Sequence, residues 1–334
     1  MRTLAGGGLA LALILSGWSP QVILRSATAP PAEVQGQSFS VAPGGPLASL
    51  GVGPADILAA GGAPSIPCGS LGLICFDPSN GAADDLAGLS FGWDFIITGL
   101  PAIEFVVGPT SRGVIGSAVR AEATCSPAEP GADIFESDAR GTNLQDLDGN
   151  GTPCGVNTGY SLGLAETGQQ IDALDRDPCQ YIDPNCDGLP ELPVLLTLAP
   201  GSPTLILLGM GPADVLMTTR GTVPWRWASA ADFGLDVGDA IDALCIREDG
   251  DGRFGAGDLV LFSLAPGSPA LGRLSAGGAD LLAPGPLRIG VSAAALGLLP
   301  SDDVVGLKCS AALSSLAGQS IYFAPSTSVN VSGG

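Results

Sequence analysis

An all-β repeat fold, a four- or five-bladed β-propeller closed by a C-terminal strand, is predicted by three recurring phrases in this sequence. An apolar opening ending in a turn appears as Phe39-Ser-Val-Ala-Pro-Gly-Gly-Pro, Phe105-Val-Val-Gly-Pro-Thr-Ser, Leu196-Thr-Leu-Ala-Pro-Gly-Ser-Pro and Phe262-Ser-Leu-Ala-Pro-Gly-Ser-Pro. An Ala-Asp-apolar motif follows each at Ala55-Asp56, Ala132-Asp133, Ala213-Asp214 and Ala279-Asp280. Each copy then closes on a Gly-Leu turn and a short apolar run: Leu86-Ala-Gly-Leu89, Ile171-Asp-Ala-Leu174, Ile241-Asp-Ala-Leu244 or Val304-Val-Gly-Leu307. Fixed-period self-similarity of this kind marks units that must stack to bury a core.

The openings at Phe39, Phe105, Leu196, Phe262 and Ile321 are spaced by 66, 91, 66 and 59 residues. The units are therefore about 38–93, 94–174, 175–244 and 245–310, with an insertion over 124–159 in the second copy. The N-terminal stretch 1–29 reads as an export signal: Arg2, an apolar run from Leu4 to Trp18, and the small-residue pattern Ala27-Thr-Ala29. Residues 30–334 then form one β-repeat domain.

Each element has a local reason. The openings are β-favouring apolar runs bounded by turn residues, the pattern of strands buried on both faces. Pro-Gly stops them, because proline presets φ and glycine accepts a positive one. The repeated Asp reads as a cap for the local backbone, and its Ile-Leu as a second strand or a helical turn. The small residue before each final Leu implies close packing near a shared axis. Radial blades and a linear solenoid both satisfy three or four strands per unit. A fifth opening, Ile321-Tyr-Phe-Ala-Pro325, favours the ring, with a closing strand over 320–327.

Charge and composition exclude several classes of function. With 13 basic residues against 33 acidic, the net charge is -20, which is no footprint for nucleic acid or an anionic membrane. There is no histidine, so Ser-His-Asp and Cys-His catalysis and histidine-bound zinc are impossible. The apolar stretch from Leu192 to Met217 is interrupted by Pro193, Pro200, Pro203 and Pro212. It reads as soluble core, and no membrane span is expected once the signal is removed. Eight cysteines in an exported chain read as disulfides. Cys68–Cys75, Cys179–Cys186 and Cys125–Cys154 are the expected pairs, leaving Cys245 with Cys309.

Three acidic segments carry alternating oxygen ligands ahead of a glycine. They are Asp146, Asp148 and Asn150 before Gly151; Asp183, Asn185 and Asp187 before Gly188; and Glu248, Asp249 and Asp251 before Gly252, with Asp258 following. Calcium takes six to eight oxygens, and alternate positions of a tight loop direct several side chains inward. Plain hairpin turns use the same residues, so the two readings stand side by side. Over about a dozen residues each, these segments resemble the Ca²⁺ loops of EF-hand, dockerin and thrombospondin type 3 repeats. The bidentate Glu and the flanking helices of an EF-hand are absent from the sequence. Neighbouring Asp172, Asp175, Asp177 and Asp242 are available to complete the ligand sets.

Beyond the loops, the repeat phrases resemble a type of secreted bacterial repeat protein of uncharacterised function. The resemblance implies an exported, secreted or cell-surface protein and transfers no catalytic residue. The expected function is non-catalytic: a calcium-stabilised binding or scaffold protein for an extracellular protein or polysaccharide. Two alternatives remain. Trp225 and Trp227 are candidates for stacking on a sugar if both rings are exposed. A carboxylate-dependent glycoside-acting enzyme needs two acids facing each other across a pocket, and no pair is singled out by the sequence.

Overall fold

The computed structural model describes residues 38–308, apart from 60, 63, 77–81, 91–102, 156, 158, 166, 167, 169, 177–192 and 220. Among the described residues, sixteen strands form four antiparallel sheets of four, arranged in a ring. The chain is a four-bladed β-propeller.

Each blade follows one plan. The second blade holds β4 (Leu86–Ser90), β5 (Ile103–Val107), β6 (Ile134–Ser137) and β7 (Leu144–Leu147) in order from the axis outward. The third holds β8 (Ile171–Asp175), β9 (Val194–Leu198), β10 (Val215–Thr218) and β11 (Trp225–Ala228). The fourth holds β12 (Ile241–Arg247), β13 (Leu259–Leu264), β14 (Leu281–Ala283) and β15 (Arg288–Val291). The first blade takes β1 (Ser38–Val41), β2 (Ile57–Ala59) and β3 (Pro64–Ile66) from the start of the chain, and its inner strand β16 (Val304–Lys308) from the end.

That last pairing closes the ring. Ser38 to Val41 lie antiparallel to Lys308 to Val304. Closure thus uses the apolar ending of the fourth copy, and the expected closing segment 320–327 lies outside the described residues. The sequence units straddle the blades: each opening is the second strand of its blade, and the preceding copy's Leu ending is the first. The expected insertion is also redrawn, since β6 and β7 fall inside 124–159. The extra length of the second copy lies in the loops on either side of that hairpin.

Why the strands are buried on both faces is visible in the side-chain clusters. Alternate residues of one strand serve opposite neighbours. Phe39 and Leu58 pack with Leu261 and Leu281 of the fourth blade, whereas Ile57 packs with Leu86 and Phe105 of the second. Val106 and Ile134 turn instead to Ile171 and Leu196 of the third blade. Phe262 stacks on Phe233, with ring centroids 5.4 Å apart, between the third and fourth. The core is therefore four inter-blade layers in series.

The turns match their chemistry. Gly201 and Gly267, in the Pro-Gly-Ser-Pro phrases, adopt φ of 89° and 93°. The second proline of each phrase starts a short helix, α2 (Pro203–Leu208) or α3 (Pro269–Leu274), where its missing N–H costs nothing. Polar residues inside the openings also have work. The Thr197 hydroxyl donates to the Ile241 carbonyl at 3.1 Å, and that of Ser263 to Val304 at 2.6 Å, each joining one blade to the next.

Small residues on the inner strands are dictated by the axis. A Cβ on Gly88 would lie 3.0 Å from Leu174 Cβ, and one on Gly306 would lie 3.2 Å from Leu89 Cβ. Each inner strand also carries a bulge at its second residue. Ile171 and Ala173 pair with Leu198 and Thr197, skipping Asp172, and Ile241 and Ala243 pair with Leu264 and Ser263, skipping Asp242.

Candidate metal sites in the acidic loops

The repeated Asp of the Ala-Asp motif is a stitch, in line with its expected capping role. Asp56, Asp214 and Asp280 each accept the N–H three residues upstream, from Gly53, Gly211 and Gly277, at 2.8–2.9 Å. Each also accepts a second N–H at the far end of the blade, from Cys68, Ala230 and Ala293, at 2.7–2.8 Å. These carboxylates are fully engaged by backbone donors and hold outer strands together.

The fourth member behaves differently. Asp133 accepts Gly149 N–H at 2.9 Å through Oδ1, and its other oxygen faces a buried cluster. Glu122, Asp133 and Asp148 bring carboxylate oxygens within 4.8 Å of one another, and all are at most 2 % exposed. Glu122 comes from helix α1 (Ala118–Ala123), Asp133 from the turn before β6, and Asp148 from the turn after β7. One side-chain donor serves all three. Gln145 Nε2 lies 3.2 Å from Glu122 Oε1, 3.0 Å from Asp133 Oδ2 and 3.4 Å from Asp148 Oδ2.

The N–H donors around the cluster carry no net charge, so they do not neutralise three buried carboxylates. Burial first, and then the neighbouring Asp148 and Glu122 charges, hold the Asp133 carboxyl well above the usual carboxylate range. Gln145 is itself 7 % exposed, and its Oε1 is buried with no hydrogen-bond partner. The two ends of an amide have the same shape, so turning it over directs that oxygen at the three carboxylates. Four convergent oxygens of this kind suit a hard cation such as Ca²⁺. A cavity of about 300 Å³, lined in part by Gln145, Asn157 and Ser117, adjoins the cluster.

Of the loop residues expected here, only Asp148 joins the cluster. Its Oδ1 accepts the N–H groups of Asn150, Gly151 and Thr152 at 3.1, 2.5 and 3.0 Å, leaving Oδ2 inward. Asp146 still belongs to strand β7 and pairs instead with Arg176, which also binds Glu104 at 2.5 Å. Asn150 faces Glu129, donating at 2.9 Å, and accepts Thr152 N–H at 2.6 Å. Strand geometry separates residues that a contiguous ion-binding loop would keep together.

The segment after β12 gives a second triad, with Glu248, Asp249 and Asp258 within 4.8 Å. Glu248 is fully buried, and the expected Asp251 stays outside the triad, its Oδ1 accepting Arg253 N–H at 2.8 Å. Glu248 accepts Gly250 and Gly252 at 2.8 and 2.7 Å, and Asp258 accepts Asp249 and Gly255 at 2.9 and 2.6 Å. Burial is the main cause that raises both carboxyls, Asp258 to about 6. Gly257 leaves room for this arrangement, since a Cβ would stand 2.0 Å from Asp249 Oδ2. The remaining loop, with Asp183, Asn185 and Asp187, lies outside the described residues.

The cysteines frame these sites. Cys68–Cys75 and Cys125–Cys154 are bonded as expected. The second bond flanks the first triad, and Cys154 N–H donates to Glu122 Oε1 at 3.1 Å. Cys245 is also in a disulfide. Its expected partner Cys309, like Cys179 and Cys186, lies outside the described residues.

The tryptophans do not form the exposed pair that sugar stacking needs. Trp227 is 4 % exposed and packs against Phe254 and Phe233 at 5.4 and 6.5 Å between ring centroids, because its position in β11 faces the inter-blade core. Trp225 is partly buried on the same cluster.

Fold and site together define a four-bladed β-propeller with disulfide-framed acidic loops. Comparison with protein-family models, curated proteins and solved structures returns no match. Among the described residues, no helix is long and apolar enough to cross a membrane.

Proposed function

We propose that this chain is an exported, non-catalytic propeller whose loops are held by calcium, and that it serves as a binding or scaffold protein for an extracellular protein or polysaccharide. The observation that carries the calcium part is the buried triad Glu122, Asp133 and Asp148 with the unpartnered Gln145 oxygen at its side. Three buried acids joined to loop amides give a folded loop only when their charge is offset. An ion at that point would tie α1, the turn before β6 and the turn after β7 into one unit, and the Cys125–Cys154 bond holds the same segments covalently. Disulfides and a net charge of -20 support an exported, well-solvated molecule.

Thermal unfolding with and without excess chelator, combined with elemental analysis, tests the calcium reading. Calcium should raise Tm and a chelator lower it, with at least one ion per chain recovered. An unchanged melting curve and metal-free protein would end the reading. Binding of the mature chain to a glycan array then separates a polysaccharide ligand from a protein partner.

A further inference from the structure

We propose that the cavity beside the first triad is a ligand pocket, and that with calcium in place it takes a neutral polyhydroxy group, a sugar ring. The coupling between ion and ligand rests on the calcium reading of the triad; the pocket itself does not. At about 300 Å³ the cavity stands at the low end of the size of small-molecule pockets. It is lined by α1 and the turn before it, by β7, and by Asn157. Gly116, Ala118 and Ala121 leave the space, and Leu144 forms an exposed lip. Among the described residues, no charged side chain lines it.

What the wall can offer follows from how its polar groups are spent. The amide hydrogens of Asn143 go to the Leu71 and Gly72 carbonyls, at 2.8 and 3.3 Å. Those of Asn157 go to Glu122 Oε1 and the Ala118 carbonyl, at 2.8 and 3.4 Å. The Ser117 hydroxyl donates to the Val114 carbonyl at 2.9 Å. Donors are used up and acceptors remain. Asn143 Oδ1 takes one N–H, from Val119 at 3.1 Å, Asn157 Oδ1 takes none from the described residues, and Gln145 Oε1 is buried without a partner. An amide oxygen has room for two hydrogen bonds. Such a wall disfavours carboxylate and phosphate ligands, which bring acceptors alone, and selects a ligand that donates.

Calcium decides which donor that is. Gln145 and Asn157 serve the cluster and the cavity at once: each donates to Glu122 Oε1 and each forms part of the cavity wall. Without an ion, three carboxylates stand behind a wall of acceptors, which suits an ammonium group. A divalent ion offsets most of that charge. Gln145, turned to give the ion its oxygen, then frees its amide hydrogens for the cavity. The wall now holds donors among its acceptors, and neighbouring hydroxyls of a sugar satisfy both, because each O–H donates and accepts. Ion and sugar bind with positive coupling, so each should tighten the other by the same factor, about tenfold.

The test is saturation-transfer NMR of the mature chain with a panel of neutral monosaccharides and with lysine, in calcium and in excess chelator, on the wild type, Ala121→Trp and Leu144→Arg. The first variant fills the cavity from α1 and the second puts a charge on its exposed lip; neither residue belongs to the triad. At least one sugar should show transfer in calcium, bind about tenfold more weakly in chelator, and lose its signal in both variants. Both variants should still take up calcium at the wild-type stoichiometry by calorimetry. Leu144 lies at the surface, so its variant carries the test if Ala121→Trp fails to fold. Transfer to lysine alone, no sugar transfer on wild type with its ion bound, or sugar signals that both variants keep, overturns the proposal. Sugar binding that the variants abolish in a protein holding no metal would overturn the calcium reading and the coupling, and leave the pocket standing.

Discussion

Asp280 shows how much a single side chain does in this fold. It accepts Gly277 N–H at 2.8 Å and Ala293 N–H at 2.7 Å, joining the turn before β14 to the helix α4 (Ala293–Leu296) after β15. Its replacement by alanine strands two amides, so Asp280→Ala should cost about 2–3 kcal/mol. Asp280→Asn, which keeps an acceptor, should recover part of that loss in a denaturant titration. An alanine variant as stable as the wild type would show that water replaces the carboxylate. The sequence carried the first half of this role, since the Asp of an Ala-Asp-apolar motif reads as a local cap. The second amide was not legible, because it is 13 residues away and reaches the Asp only through the blade. Glu122 and Gln145 were hidden for the same reason. Their roles come from segments that meet in space, with no alternating-ligand motif to announce them.

At the scale of elements, the hairpin of β6 and β7 and its flanking loops are the most elaborated part of the ring. Helix α1 is capped by Ser117, whose hydroxyl accepts Arg120 N–H at 3.1 Å, and it delivers Glu122 beside Cys125. The Cys125–Cys154 bond, spanning 29 residues, keeps α1 against the turn that supplies Asp148. Opening that loop in Cys125→Ser/Cys154→Ser should lower stability by about 3 kcal/mol on the chain-entropy account. It should also weaken calcium binding, because Cys154 N–H orients Glu122. Isothermal titration on the double variant checks both, and an unaltered affinity would separate the bond from the site. Apolar periodicity revealed the buried openings and the turn glycines well. It failed over 124–159, where β7 reads Leu-Gln-Asp-Leu and exposes Leu144 while burying Gln145. A strand whose inward residue is a polar ligand inverts the pattern by which strands are recognised.

For the whole molecule, the ring is the unit of stability, since each of its four hydrophobic layers belongs to two blades. The inner strands carry both the tightest packing and the densest charge. Burial first, and then repulsion from neighbouring aspartates, raise Asp85 and Asp172 to about 7 and Asp242 to about 9, from an ordinary 3.8. Burial alone raises Asp303 to about 6, against a hydrogen bond from Asp242 that lowers it. Because the folded values lie above the unfolded one, the stabilising protons are fully held below pH 4. They are lost as pH rises through about 6 to 9. In excess chelator, Tm should therefore fall from pH 5 to pH 9, the opposite of the trend set by carboxylates in salt bridges. Asp133, Glu248 and Asp258, which burial also raises, shift the curve in the same direction. Asp242→Asn removes the most strongly raised of these acids and should flatten the alkaline limb. A chelated wild type whose Tm is level from pH 5 to pH 9 would mean that the axial acids are hydrated and cost the ring nothing. If the slope appears and Asp242→Asn leaves it unchanged, the repulsion lies in the loop triads, and the closure of the ring does not depend on the charge at its centre.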